Sequence, residues 1–239
     1  MIPPTSIDGT DITGATIDGT DVQEITVDGD VVFSAGPDIP DASSLIFHLD
    51  ASQESLSNNA TTATLTDFSG QGNDSLSTTT TATYKTNGIG GQPAFEFDAS
   101  GGFVSTFNLS GDFTVSAAVD LVQGANNEII QRSGASGFIE VANGSAQSYR
   151  AFGNSFNSSV VGSSSAQHPL SLITEFDNGF ITINVAGNQV ASGSQPQVNV
   201  NEVSIPAVNL DGLIAEMAIH QSVGITSNMN TYFNDKYGL

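Results

Sequence analysis

Two places in this chain set carboxylates where they could do acid–base chemistry. Glu96-Phe97-Asp98 and Glu175-Phe176-Asp177 each hold two acids two residues apart. On a β-strand that spacing points both side chains to the same face. Glycoside hydrolysis uses such a pair, one group as proton donor and the other as base or nucleophile. The same pair also reads as a solvated strand face in a chain rich in acid. His48, His168 and His220 stand apart from one another without metal-ligand spacing, and a lone histidine on a strand reads as packed. No phosphate-cradling glycine loop and no serine nucleophile elbow occurs. The absence of cysteine excludes thiol chemistry and a disulfide framework.

The charge balance limits the partners. The 239 residues carry 25 acids against four bases, Lys85, Arg132, Arg150 and Lys236, for a net charge of −21. A surface so poor in cations does not neutralise phosphates, which argues against nucleic acid and against an anionic membrane. Apolar residues make up 38% of the chain, which suits a folded core better than an acidic disordered segment. A folded protein in molar salt fits, because at 1 M self-repulsion is screened within about 3 Å. The first residues show no basic and apolar leader of the secretory type, and no apolar run approaches the roughly 20 residues of a membrane span.

The elements that would position the acids are strands. Leu45–Leu49, Ala94–Phe97, Phe113–Val119, Gly137–Val141, Leu170–Thr174, Phe180–Val185, Gln189–Ser192 and Gly212–Ile219 are apolar or alternating runs between turn residues. Ala186-Gly187-Asn188 closes a hairpin. Near the end, Thr226 or Ser227 can cap a short helix, with Met229, Tyr232, Phe233 and Lys236 at helical spacing and Gly238 as its stop. The Ser- and Thr-rich stretches 75–83 and 155–165 read as surface loops. Residues 1–36 stand apart. Ile7-Asp8-Gly9-Thr10 recurs as Ile17-Asp18-Gly19-Thr20 and as Val27-Asp28-Gly29-Asp30, which predicts a small antiparallel meander too short to hold a core alone. Gly36-Pro37-Asp38-Ile39-Pro40 reads as a linker. The expected division is therefore 1–36, a β-rich attachment module, and 37–239, the main domain.

From about residue 43 the order of segments resembles the concanavalin A-like lectin/glucanase superfamily in its laminin-G-like form. The pieces that carry it are Leu49-Asp50-Ala51-Ser52, Asp67-Phe68-Ser69-Gly70-Gln71-Gly72-Asn73-Asp74, Gly91-Gln92-Pro93-Ala94-Phe95-Glu96-Phe97-Asp98, Ser110-Gly111-Asp112-Phe113-Thr114-Val115, Leu213–Ile219 and the closing Asn230–Leu239. The resemblance implies an all-β fold: a jelly-roll sandwich of two antiparallel sheets, with a small N-terminal β module and a short C-terminal helix. Glycan-cleaving members use three acids at i, i+2 and i+4 on one strand. Here the third position holds Ser100 in one case and Gly179 in the other. The chain is therefore expected not to be an enzyme.

Such domains often hold calcium near the ligand rim, and Asp67, Asn73, Asp74, Asp98 and Asp211 are the oxygen-rich candidates, although each is also a common turn former. Sugar binding wants an aromatic platform. With no tryptophan present, Tyr84, Tyr149 and Phe152, in or near loops, are the candidates. Residues 18–33 resemble short leader modules of virion proteins in tailed viruses, and the acidity suggests a virus of a halophilic archaeon. The expectation that follows is a virion surface protein, a capsid turret or decoration or a tail fibre. It would be made in the host cytoplasm without a signal peptide and would act outside the cell in high salt. Residues 1–36 would bind other capsid or tail proteins. The copies would form a homo-oligomer, a trimer or pentamer, and the sandwich would bind a host surface glycoprotein or glycan. A ligand-free decoration subunit and a glycan hydrolase are the alternatives.

Overall fold

Period-two alternation builds the main body. In Phe180–Val185 the residues Ile181, Ile183 and Val185 are buried in the core, while Phe180 and Thr182 are exposed or half-buried. Runs of this kind form two large antiparallel sheets in a computed structural model. In the first unit it describes residues 6–7, 10–11, 16–17, 20–21, 24–27 and 30–34. From 37 onward it describes all residues except 78–79, 100–101, 106, 123–126, 133–136, 143–146, 153–158, 197–198, 201–202 and 206–208. The chain divides into Met1–Asp38 and Ile39–Leu239.

In the first unit each repeat pairs with itself. Ser6–Ile7 joins Thr10–Asp11, Thr16–Ile17 joins Thr20–Asp21, and Glu24–Val27 joins Asp30–Ser34. Where the repeats predict a small antiparallel meander, the described residues form three two-stranded hairpins.

The second unit is a β-sandwich, as the resemblance implies. One sheet has nine strands. Its path runs Asn188–Ser194, Phe180–Val185, Leu170–Asp177, Phe113–Leu121, Asp211–His220, Ala94–Asp98, Ala82–Lys85 and Thr61–Thr62, with Leu45–Asp50 also paired to Asp211–His220. The other has eight, including Phe103–Ser105, Asn127–Arg132, Gly137–Ala142, Gln147–Phe152 and Ser159–Ser164. Their facing apolar residues form one core, in which Phe47, Phe95, Phe113, Ile130 and Tyr149 are fully buried. The Ser/Thr-rich stretches are not loops throughout: Ser75–Ser77, Ala82–Lys85 and Ser159–Ser164 are strands near sheet edges. Backbone pairing holds them, so their side chains need not be apolar. Two hairpins turn at Asn178-Gly179 and Ala186-Gly187, where all four residues have positive φ. Two-residue turns of this hand match the twist of the strands they join.

A second core lies on the outer face of the nine-stranded sheet, under the helix Thr226–Tyr237. Met229, Tyr232, Phe233 and Tyr237 pack on Ala94, Ala118, Ala215 and Ala218, small residues that let the helix come close. Gly238 ends the helix at φ 71. Neither Thr226 nor Ser227 caps its start. The cap position is Ile225, which is buried in the same core, so apolar anchoring replaces a side-chain cap.

One buried carboxylate ties this helix to the sheet. Val119 pairs with Ile214 and Ala118 with Glu216, so Ala215 is left over as a β-bulge. Ile214 and Met217 then face the sandwich core while Ala215 and Glu216 face the helix. The bulge also lies where the two successive partners along this strand's other edge meet, Ala94–Asp98 before it and Leu45–Asp50 after it. Glu216 is 0% exposed. Its carboxylate accepts from His48 Nε2 at 2.7 Å, Tyr232 Oη at 2.8 Å, Tyr237 Oη at 2.8 Å and Lys236 Nζ at 2.8 Å. Lys236 Nζ also donates to Asp50 at 2.8 Å. Burial and the adjacent Glu216 push the Tyr237 hydroxyl far up, so it stays a donor.

Removing one partner from a buried ion pair leaves an uncompensated charge. Lys236→Met is expected to cost about 3–5 kcal/mol in urea unfolding at neutral pH. Burial alone would raise the Asp50 carboxyl, but Lys236, Ser52 and Gln53 outweigh it and hold it below its ordinary value. A group held low stabilises the fold above its unfolded pKa, and that stability is lost as pH falls through the folded pKa. Urea midpoints are therefore expected to fall in acid, and Asp50→Asn to flatten that part of the profile.

Candidate functional site

The helix covers the outer face over Phe113–Leu121 and Leu170–Asp177. Beyond it, the strands Phe180–Val185 and Asn188–Ser194 form the floor of an open cleft of about 440 Å³, with the helix edge as its wall. Glu175, Thr182, Asn184 and Gln189 come from the sheet, and Thr226, Ser227, Asn230 and Thr231 from the helix. Alternation places the first set here, because Phe176, Ile181 and Ile183 between them are spent on the core.

The lining is polar and partly held in place. Glu175 accepts from the Gly224 backbone N–H at 2.9 Å. Asn230 Oδ1 accepts from Ser171 Oγ at 3.0 Å. Thr231 donates to the Ser227 carbonyl at 3.1 Å, and Gln189 donates to Ser192 at 3.3 Å. Asn184 and Thr226 are not held in this way. Asn184 is 8% exposed, and among the described residues nothing hydrogen-bonds to its side chain, whose amide opens to the cleft. Thr226 Oγ1 is buried without a partner among the described residues. Both can pair with a ligand or water in the trough. The arrangement offers amide and hydroxyl groups, donors and acceptors both, in a concave trough. That is the chemistry of a polyol ligand.

A second feature lies on the same sheet face. Glu96, Asp98, Asp120 and Asp211 line a groove of about 340 Å³. Asp98 and Asp211 are directly opposite each other on paired strands. A search along one strand for three acids misses this gathering, because three strands supply it.

The candidates read from sequence fall into different places. Asp98 and Asp211 meet in that groove. Asp67 sits elsewhere: its carboxylate accepts from the backbone N–H groups of His48, Ser69 and Asn73 and from Ser69 Oγ, all within 2.9 Å. Asp74 in turn accepts from the Asp67 backbone N–H, and Asn73 donates to the Ile46 carbonyl. These three lock a loop onto the first strand of the sandwich, and the Asp67 oxygens are occupied in doing so. Tyr149 is 0% exposed and burial pushes its hydroxyl up to about 12. Tyr84 is buried against Phe95. Both rings belong to the core, because their strands turn them inward, so neither offers a stacking platform. Phe152 is half-buried at the end of Gln147–Phe152. His48, Asp50 and Glu216 approach as a metal triad would, but the Lys236 ammonium supplies the positive charge there. Burial pushes His220 down, and it donates to the Pro40 carbonyl.

No family model matches the chain, and no curated protein matches it. Solved structures do. The binding domain of botulinum neurotoxin DC, in complex with SialylT, matches at TM-score 0.57 and 13% identity over 81% of this chain and 52% of that one. Trypanosoma rangeli sialidase, in complex with a difluoro-KDN, matches at 0.52 and 12% over 89% and 36%. Domain 4 of AbnA, a GH43 extracellular arabinanase from Geobacillus stearothermophilus in complex with arabinotriose, matches at 0.51 and 16% over 79% and 98%. The chain spans only about half and a third of the first two. At these identities the shared property is the fold, a β-sandwich. One expectation is corrected. Chains of a sialidase and of an arabinanase share this fold, so two incomplete acid triplets on single strands do not exclude an enzyme.

Asn184 and Glu216 escaped the reading of motifs. Glu216 had a signal, a lone acid inside the apolar run Leu213–Ile219. Asn184 had none, being one polar residue among many at an outward strand position.

Like charges directly opposite on paired strands repel. Asp211→Asn is expected to stabilise the protein by about 0.2–1 kcal/mol in low salt. The gain is expected to fade as sodium chloride is raised, and thermal melts of the two proteins across salt concentrations check it.

Proposed function

We propose that this chain is a glycan-binding, lectin-like domain whose ligand site is the cleft beside the terminal helix. The observation that carries the reading is the pair of unpartnered polar groups, the Asn184 amide and the buried Thr226 Oγ1, in a trough of hydroxyls and amides. The glycan or sugar-derived ligands in the neurotoxin, sialidase and arabinanase structures support it at the level of fold. Asn184→Ala is expected to remove saccharide binding, measured by calorimetry or on a glycan microarray, while leaving the melting temperature within a few degrees of the parent. Binding that survives this change unaltered moves the site elsewhere.

The finer proposal is a virion surface protein, a turret, decoration or tail-fibre subunit working outside the cell in high salt, with a host surface glycoprotein as the glycan carrier. Residues 1–36 are its attachment module to capsid or tail, and the copies form a trimer or pentamer. Two features support it: the acidic surface, and three short hairpins that form a unit separate from the sandwich. Isolated two-stranded hairpins are marginal in water, so such hairpins suit a segment that gains partners on assembly. Deleting residues 1–36 is expected to abolish incorporation into particles and leave the sandwich folded.

A second reading is glycan cleavage in the groove of Glu96, Asp98, Asp120 and Asp211, favoured by the gathering of four carboxylates on one face. Its test is release of reducing sugar by the parent and its loss in Glu96→Gln.

A further inference from the structure

The glycan-binding reading leaves the class of saccharide open. Two observations narrow it. The first is the placement of Phe180, one of the few large apolar side chains exposed, at 45%. The register of Phe180–Val185 against Leu170–Asp177 is unbroken. Phe180, Thr182 and Asn184 therefore form one row on the outer face, opposite in direction to the core residues Ile181, Ile183 and Val185. The row reads aromatic ring, hydroxyl, amide. At about 3.4 Å per residue its ends are roughly 14 Å apart along the strand, further than one sugar ring reaches. On the neighbouring strand Ser192 stands opposite Thr182 and Ser194 opposite Phe180, so hydroxyls flank the row.

The second observation is charge. Among the described residues that line the cleft, the only ionisable one is an acid, Glu175. All four basic residues are elsewhere. Lys236 is held by Glu216 and Asp50, and Lys85 pairs with Glu96 at 2.9 Å. Arg132 and Arg150 belong to strands of the other sheet. A sialylated, uronic or sulfated sugar binds best beside a cation, which offsets desolvation of its anion. Molar salt screens distant charge, but it does not supply that partner inside the cleft.

We infer that the cleft and Phe180 form one extended site for a neutral oligosaccharide, which pairs with Asn184 at one end and stacks a sugar face on Phe180 at the other. This rests on the cleft being the glycan site. Recognition comes from hydrogen bonds in the trough, and the ring adds apolar contact that a shorter ligand does not reach.

The test uses the full chain in high salt against neutral gluco-, galacto- and manno-saccharides from mono- to tetrasaccharide, with sialyllactose and oligogalacturonides as acidic probes. Expected are affinity rising with length, no binding of the acidic probes, and a loss of about tenfold on tetrasaccharide in Phe180→Ala, equivalent to about 1.4 kcal/mol. Phe180→Trp is expected to retain binding, and monosaccharide binding is expected to be the same in both variants as in the parent. Because Phe180 is exposed, its variants are expected to melt like the parent. Binding that Asn184→Ala removes but Phe180→Ala leaves unchanged overturns this inference and keeps the glycan site. Acidic probes bound as tightly as neutral ones overturn it as well. No binding of any saccharide sinks the inference and the glycan site together.

Discussion

A carboxylate with no access to water governs the architecture around the cleft. Glu216 cannot sit in an apolar layer unless its charge is matched and its lone pairs are occupied. Two tyrosines, a lysine and a histidine meet that demand. Three of the four come from one helix, so satisfying the carboxylate also fixes where that helix lies and how it is turned. The wall of the cleft is the far edge of the same helix. A polar requirement inside the protein thus sets the shape of a polar surface outside it.

The sheet is used asymmetrically. Its inner face is continuous apolar packing against the second sheet. Its outer face is divided into an alanine-floored seat for the helix, an acidic groove and a polar trough. The division follows side-chain size and charge. Alanines admit a helix, acids line an open groove at whose side Glu96 pairs with Lys85, and threonine, asparagine and glutamine leave a surface that water or a sugar can occupy. The strands need only alternate. Function on this scaffold is a matter of which residues occupy the outward positions.

Much of the fold was legible from the residues. Alternation located most long strands of the main body, Ala186-Gly187 marked a hairpin, and Gly238 marked the helix end. The reading failed where a property depends on a partner distant in sequence. Tyr149 looks like a loop-edge ring until the pairing of Gln147–Phe152 turns it inward. Asp67 looks like a metal ligand until its oxygens are seen on backbone N–H groups from two segments. The Ser/Thr stretches looked unstructured because edge strands are held by backbone bonds that composition does not reveal. The acids of the groove come from three strands, which no local spacing encodes.

The bulge at Ala215 has a consequence for chain length. In a regular strand, adding or deleting one residue reverses the facing of every side chain beyond it. At a bulge two residues already share one position. Loss of Ala215 would leave Ile214 facing inward and Glu216 facing the helix, whereas loss of any residue between Met217 and His220 would exchange the two layers. The strand that carries the fully buried Glu216 therefore contains a place where its length can vary without inversion.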